Sequence, residues 1–359
     1  MIYSLMIKLT HKCNIRCAYC YERETVTDYE SVMDLEVMRH LVKILQDTKE
    51  KFTFFFLGGE ILILDDDYLQ QVFDIIRPVA NEIQIQTNGT LLTEEKCAML
   101  NKNGVHLGIS YDGTTSKINR GKIEHCEKGL ENWTKEIQKS VGVLSVCSKE
   151  YLENIITEYE HCKNKGISGV QYGILRGSEG NDQYADLFIS QIKKMVDYYW
   201  EDETPIMNNF VVELIKTALG VPNSLTTLKC HEQWLGLDVD GGITLCECGV
   251  WGYSNEDYLI GNILNLNNLN EFILNEKRLN IIEKVLEMKE DCIDCELDGI
   301  CWNGCVAQTF KDSRDGPIKI NKTWCKMVLE TQRYVKEKIK VPTKNHFVKE
   351  AIEDASINN

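Results

Sequence analysis

No stretch of this chain approaches the ~20 consecutive apolar residues that a bilayer-crossing helix needs. The apolar runs Phe52 to Leu57 and Ile61 to Leu64 are short and are separated by Gly58-Gly59-Glu60. The first twenty residues carry His, Lys and Arg among cysteines in place of the apolar core of a signal peptide. A cytoplasmic protein with no membrane partner is therefore expected. No lysine or arginine run is present and the formal net charge is −15, which argues against the basic face that nucleic-acid binding requires. Internal repeats and low-complexity tracts are absent as well. One further absence is local: after Cys20 the next cysteine is Cys97.

What remains is a chain of 359 residues with ample apolar content, long enough for one large domain and a smaller one. Its 15 cysteines, in a reducing compartment, argue for metal ligation over disulfides. All but Cys97, Cys126, Cys147 and Cys162 fall in clustered spacings, and those four read as small buried hydrophobes.

The first half alternates short β-rich runs with amphipathic stretches, which predicts parallel strands joined by crossover helices. Strands are expected at Ser4 to Leu9, Thr53 to Leu57, Ile83 to Thr87, His106 to Ser110, Val141 to Val146 and Val170 to Leu175. Helices are expected at Asp34 to Thr48, Asp67 to Val79, Thr93 to Asn103, Glu124 to Gln138 and Tyr151 to Lys165, with Thr93 as an N-cap and Gly104 and Gly166 as helix ends. Six such units make an α/β, partial (β/α)6 TIM-like barrel, with its site at the carboxyl ends of the strands. The expected division is 1–185 barrel, 186–228 helical bridge, 229–326 cysteine-rich domain and 327–359 C-terminal helix and tail.

Cys13, Cys17 and Cys20 follow the first strand in the spacing C-x3-C-x2-C. Three thiolates on one short loop suit three irons of a 4Fe-4S cube and leave the fourth iron open to a small chelating molecule. A structural zinc loop is the alternative, although zinc takes four ligands in a closed site. With Tyr19 before the last cysteine, the motif resembles the radical S-adenosylmethionine (radical SAM) enzymes. In that family SAM chelates the open iron, and an electron from the cluster splits it to a 5'-deoxyadenosyl radical.

The resemblance assigns further residues. Gly58, Gly59 and Glu60 match the segment that receives the SAM amino group, with Ile61 where the family usually has proline. Thr87, Asn88, Ser110 and Asp112 match later strand-end segments that touch SAM or shape the cleft floor, with Ser110 favoured over the Asp-Gly turn residue Asp112. Tyr19 and Leu175 would pack on the adenine. An arginine helps hold the SAM carboxylate in some relatives, and Arg120 is the nearby candidate.

The C-terminal cysteines resemble the SPASM extension of radical SAM enzymes, which carries two auxiliary 4Fe-4S clusters and so brings the total to three. By that pattern Cys230, Cys246 and Cys305 bind the first, one ligand short unless Cys248 completes it, and Cys292, Cys295, Cys301 and Cys325 bind the second. Two structural zinc sites are the competitor. Glu247 lies where sulfatase-maturing relatives have an aspartate general base, which makes it the candidate catalytic residue.

The resemblance implies an enzyme that modifies a ribosomally made precursor peptide (RiPP maturation) by forming a thioether, C–C or similar crosslink. A flavodoxin or ferredoxin-type electron donor is the implied partner, and a leader would be gripped by a separate leader-binding protein, by the bridge and tail, or not at all. An anaerobic sulfatase-maturing, formylglycine-forming enzyme is the alternative. A non-catalytic iron-sulfur electron carrier or zinc scaffold is the alternative of another class.

Overall fold

The computed structural model describes residues 4–24, 30–175, 181–221, 230–245, 259–298, 300–301 and 320–358. The six expected strands form as β1 (Ser4–Lys8), β2 (Phe52–Leu57), β3 (Ala80–Thr87), β4 (Val105–Ser110), β5 (Gly142–Cys147) and β6 (Gly169–Ile174). Each pairs in parallel with the next. The crossovers are α1 (Leu35–Gln46), α2 (Asp66–Ile76), α3 (Glu94–Lys102), α4 (Ser116–Asn119) with α5 (Ile123–Ile137), and α6 (Lys149–Glu153) with α7 (Ile155–Asn164). Local chemistry starts these helices: the Asp34 side chain accepts from the Glu36 N–H and the Thr93 hydroxyl from the Lys96 N–H. Cys97, Cys126, Cys147 and Cys162 are buried, as small apolar residues would be.

Burial alternates along the strands. Phe54, Phe56, Ile83 and Ile85 lie in the core shared with the helices, whereas Phe55, Gln84 and Gln86 on the other face are half-buried. A parallel strand covered on both faces reads as a continuous apolar run, so the glutamines of β3 mark a face that core does not fill. That face lines an open sheet, consistent with a partial barrel.

The sheet extends past the six strands at both edges. After α8 (Asp182–Glu201), the two-residue β7 (Met207–Asn208) pairs in parallel with β6, and α9 (Asn209–Ala218) follows. On the opposite side β8 (Trp234–Leu237) runs parallel to β1, then turns into β9 (Gly242–Thr244), which pairs with β10 (Gly261–Asn262). The order is β10-β9-β8-β1-β2-β3-β4-β5-β6-β7. The segment expected to open a separate cysteine-rich unit therefore begins as part of the barrel sheet. Composition alone gives no sign of this, because pairing partners so distant in sequence leave no local signature.

The helix Lys322–Lys338 packs on α8 and α9, and the helix His346–Asn358 packs on α9. This second helix occupies the stretch expected as a tail. Its apolar residues Val348, Ala351 and Ala355 are buried, and their spacing of three and four is the sequence signal for it. Among the described residues no helix is long and apolar enough to cross a membrane.

Candidate active site

The loop after β1 carries Cys13, Cys17 and Cys20, and the neighbouring strand ends hold it in place. Gly59 donates its N–H to the Thr10 carbonyl at 3.0 Å and Glu60 to the Lys12 carbonyl at 2.6 Å. This approach needs glycine: a Cβ on Gly59 would stand 2.0 Å from the Lys12 oxygen, and one on Gly58, at a φ of +122°, 2.8 Å from the Thr10 oxygen. The pair thus serves the chain's own loop, a role in addition to the ligand contact expected from sequence. Glu60 is 1% exposed and reaches inward. Its carboxylate accepts from the Leu62 N–H (3.1 Å), the Thr87 hydroxyl (2.7 Å) and the Asn88 N–H (2.7 Å), tying β2 to the end of β3. Burial pushes its pKa up against those hydrogen bonds.

Asp112, ranked below Ser110 from the sequence, is the hub on the other side. It is fully buried and accepts from the Tyr19 hydroxyl, from Arg120 Nε (2.8 Å) and Nη2 (3.1 Å), and from the Val146 N–H (2.9 Å). The Arg120 guanidinium lies 5.3 Å from the Tyr19 ring centroid and its side chain is 9% exposed. Its charge reaches Cys17, whose thiol burial pushes up to about 11 while Arg120 opposes the shift. Arg120, the candidate nearby in sequence, sits beside the loop. Ser110 Oγ accepts from Gln86 Nε2 at 2.7 Å across the half-buried face. Leu175, just beyond β6, is half-buried against the core, with its N–H donating to the Tyr184 hydroxyl at 3.2 Å.

Beneath the loop lies a set of buried charges that sequence reasoning missed. Lys8 Nζ meets Glu22 Oε1 at 2.6 Å, and His11 Nε2 meets Asp238 Oδ1 at 2.9 Å, with the second imidazole nitrogen 3.8 Å from Glu22. Burial disfavours a charged imidazole, yet Asp238 and Glu22 outweigh it and raise the His11 pKa to about 9. Burial likewise opposes ionisation of Glu22, and Lys8 and His11 hold it down at about 2. Asp238 stands at the turn after β8, so this cluster joins the cysteine loop to the C-terminal hairpin.

The second group of thiols also converges. Cys325 lies in the first turn of the helix Lys322–Lys338, and its pKa is raised to about 12, first by burial and then by the neighbouring Cys301, Cys292 and Cys295. The backbone turns tightly there, with the Cys295 N–H donating to the Cys292 carbonyl at 2.9 Å. Cys246, Glu247, Cys248 and Cys305 lie outside the described residues, as does the Cys230 side chain. A cube takes each thiolate on its own iron, so its ligands stand farther apart than those around one ion. Among the described residues no three His, Cys, Asp or Glu side chains are close enough to hold a single ion.

An open parallel α/β sheet that gathers three thiols, a buried Asp–Arg pair and close glycine turns at the carboxyl ends of its strands is the frame of a barrel enzyme. The chain belongs to the radical SAM superfamily, whose sequence profile matches residues 7–187. A cysteine-type anaerobic sulfatase-maturating enzyme of Clostridium perfringens is 23% identical to it over 354 residues, spanning 89% of this chain and 92% of that protein. The fold is similar to that of native anSMEcpe with bound AdoMet and Cp18Cys peptide, with a TM-score of 0.81 at 21% identity and 100% of both chains covered. It is also similar to that of Streptococcus suis SuiB bound to precursor peptide SuiA, with a TM-score of 0.68 at 16% identity over 90% of this chain and 76% of that one.

Proposed function

We propose that this chain is a radical SAM maturase that acts on a peptide segment of a protein, forming formylglycine in the manner of the sulfatase-maturating relatives. One observation carries the reading: the likeness to the Clostridium perfringens enzyme covers 89% of the chain and so takes in the cysteine-rich region as well as the barrel. The donor set fits the chemistry. Cys13, Cys17 and Cys20 would hold the SAM-binding 4Fe-4S cluster, and Cys292, Cys295, Cys301 and Cys325 an auxiliary one. Cys230, Cys246 and Cys305, with Cys248, would hold another. When bound, the first cluster supplies the electron that splits SAM to a hydrogen-abstracting 5'-deoxyadenosyl radical, with a flavodoxin or ferredoxin-type protein as the donor.

The protein's own part is to hold and exclude. The strand-end turns fix the cysteine loop, and Tyr19, Asp112 and Arg120 close one wall of the cleft. The half-buried face of the sheet receives the substrate segment. Glu247 would take the substrate proton.

The second reading is crosslinking of a ribosomally made peptide. It is favoured by the fold shared with SuiB, whose structure holds a precursor peptide. Product mass separates the two. The anaerobically reconstituted, reduced protein is given SAM and a cysteine-containing sulfatase-type peptide, with Cys17→Ala as control. An aldehyde in place of the thiol, with 5'-deoxyadenosine formed, supports the first reading. 5'-Deoxyadenosine formation with a crosslink in a precursor peptide and no aldehyde supports the second. No 5'-deoxyadenosine from an iron-loaded protein with any candidate peptide overturns both.

A further inference from the structure

Asn88 is the last polar residue of the β3 end, 8% exposed, and its amide orientation follows from its neighbours. Oδ1 accepts from the Thr90 N–H at 2.9 Å and from the Thr90 hydroxyl at 2.6 Å. A backbone N–H only donates, so the amide oxygen must face Thr90 and the amide nitrogen must face the cysteine loop. There Nδ2 donates to Asn14 Oδ1 at 3.0 Å and lies 3.9 Å from Cys13 Sγ, within reach of a hydrogen bond to sulfur. Asn14 Nδ2 donates in turn to Thr90 Oγ1 at 2.8 Å, closing a ring of three side chains that holds the Asn88 amide still. The Ile15 backbone N–H donates to the same sulfur. Cys13 is the exposed member of the triad, so these donors provide fixed polarity where solvent would otherwise reorganise.

Reduction of an iron-sulfur centre adds negative charge, part of which falls on the ligand sulfurs. An N–H dipole aimed at one of them stabilises the reduced state more than the oxidised state and raises the potential. We propose that Asn88 is a positioning and tuning residue of the iron-sulfur centre, donating its amide N–H to the Cys13 sulfur and easing entry of the electron that SAM later receives. This rests on the reading that Cys13, Cys17 and Cys20 hold that centre, and it gives Asn88 a role toward the cluster that the sequence resemblance had assigned toward SAM.

The test is redox potentiometry of the reconstituted protein without SAM, following the reduced signal that Cys17→Ala lacks. Asn88→Ala removes the donor. Asn88→Asp keeps the shape and the oxygen facing Thr90 but cannot donate when ionised. Asn14→Ala removes one member of the ring but leaves the Asn88 oxygen held by the Thr90 N–H and hydroxyl, so the amide nitrogen still faces the Cys13 sulfur. The expected result is about a tenfold loss of reduced centre at fixed potential in both Asn88 variants, equivalent to a midpoint shift of about 59 mV for one electron, with Asn14→Ala close to wild type. An equal fall in Asn14→Ala, or no fall in the Asn88 variants, overturns the proposal. Should the Asn88 variants fail to hold the centre, wild type labelled with nitrogen-15 in its asparagine side chains keeps the question decidable. A nitrogen-15 coupling to the reduced centre supports the assignment, and its absence overturns it. A wild type that binds no iron and sulfide at the triad overturns the underlying reading, and this outcome is distinct from a cluster whose potential ignores Asn88.

Discussion

At the scale of single residues, the cysteine loop depends on close contacts that tolerate no added atoms. Gly59→Ala places a methyl group 2.0 Å from the Lys12 carbonyl oxygen, and the atoms it meets, on Lys12 and His11, are backbone, so the loop must move. The expected outcome is a folded barrel, judged by circular dichroism, that has lost the iron and sulfide of one centre. Asp112→Ala acts differently. It leaves the Arg120 guanidinium, the Tyr19 hydroxyl and the Val146 N–H without their shared acceptor inside the protein. Uncompensated buried charge costs about 3–5 kcal/mol, which denaturant unfolding under anaerobic conditions would measure. The sequence made the cysteines and the glycine pair legible because their spacing is local. It did not reveal the hub role of Asp112, since Asp-Gly is an ordinary turn pair and its partner Arg120 is recognisable only once α4 has folded.

At the scale of elements, the hairpin of β8 and β9 is the feature with most leverage on the loop. Its turn residue Asp238 pairs with His11, two residues ahead of Cys13, while Lys8 and Glu22 pair across the base of the loop. Asp238→Ala leaves a buried imidazole without its Nε2 partner. A stability loss of about 3 kcal/mol is expected from breaking a buried pair, together with faster release of iron from the loop centre than from the C-terminal thiols, followed with a chromogenic chelator. The six parallel strands were readable because alternation and helix caps are short-range signals. The hairpin was not, because the four residues Trp234-Leu-Gly-Leu237 take their meaning from β1, on the far side of the chain.

At the scale of the whole molecule, the barrel and the C-terminal region share one sheet. They also share a core, since Val335 and Met327 of the helix Lys322–Lys338 and Val348 of His346–Asn358 belong to the cluster that includes Leu5 and Phe54. A chain ending after Val221 would leave the backbone groups of β1 unpaired on one side and the apolar faces of α8 and α9 bare. An open strand of that kind pairs with other chains. The truncated protein is expected to aggregate on expression, and size-exclusion chromatography would show it.

The position of β1 also sets an order in time. It is made before the other strands of the sheet and lies inside it, between β2 and a strand whose register places Trp234 opposite Ser4. At ribosomal rates of about 5–20 residues per second, roughly 10–50 s pass between the two. Through that interval the cysteine loop lacks Asp238, and one flank of its supporting strand is open. Nascent chains arrested before residue 234 are therefore expected to hold no iron on the loop, with uptake expected only in chains that include the carboxyl-terminal third.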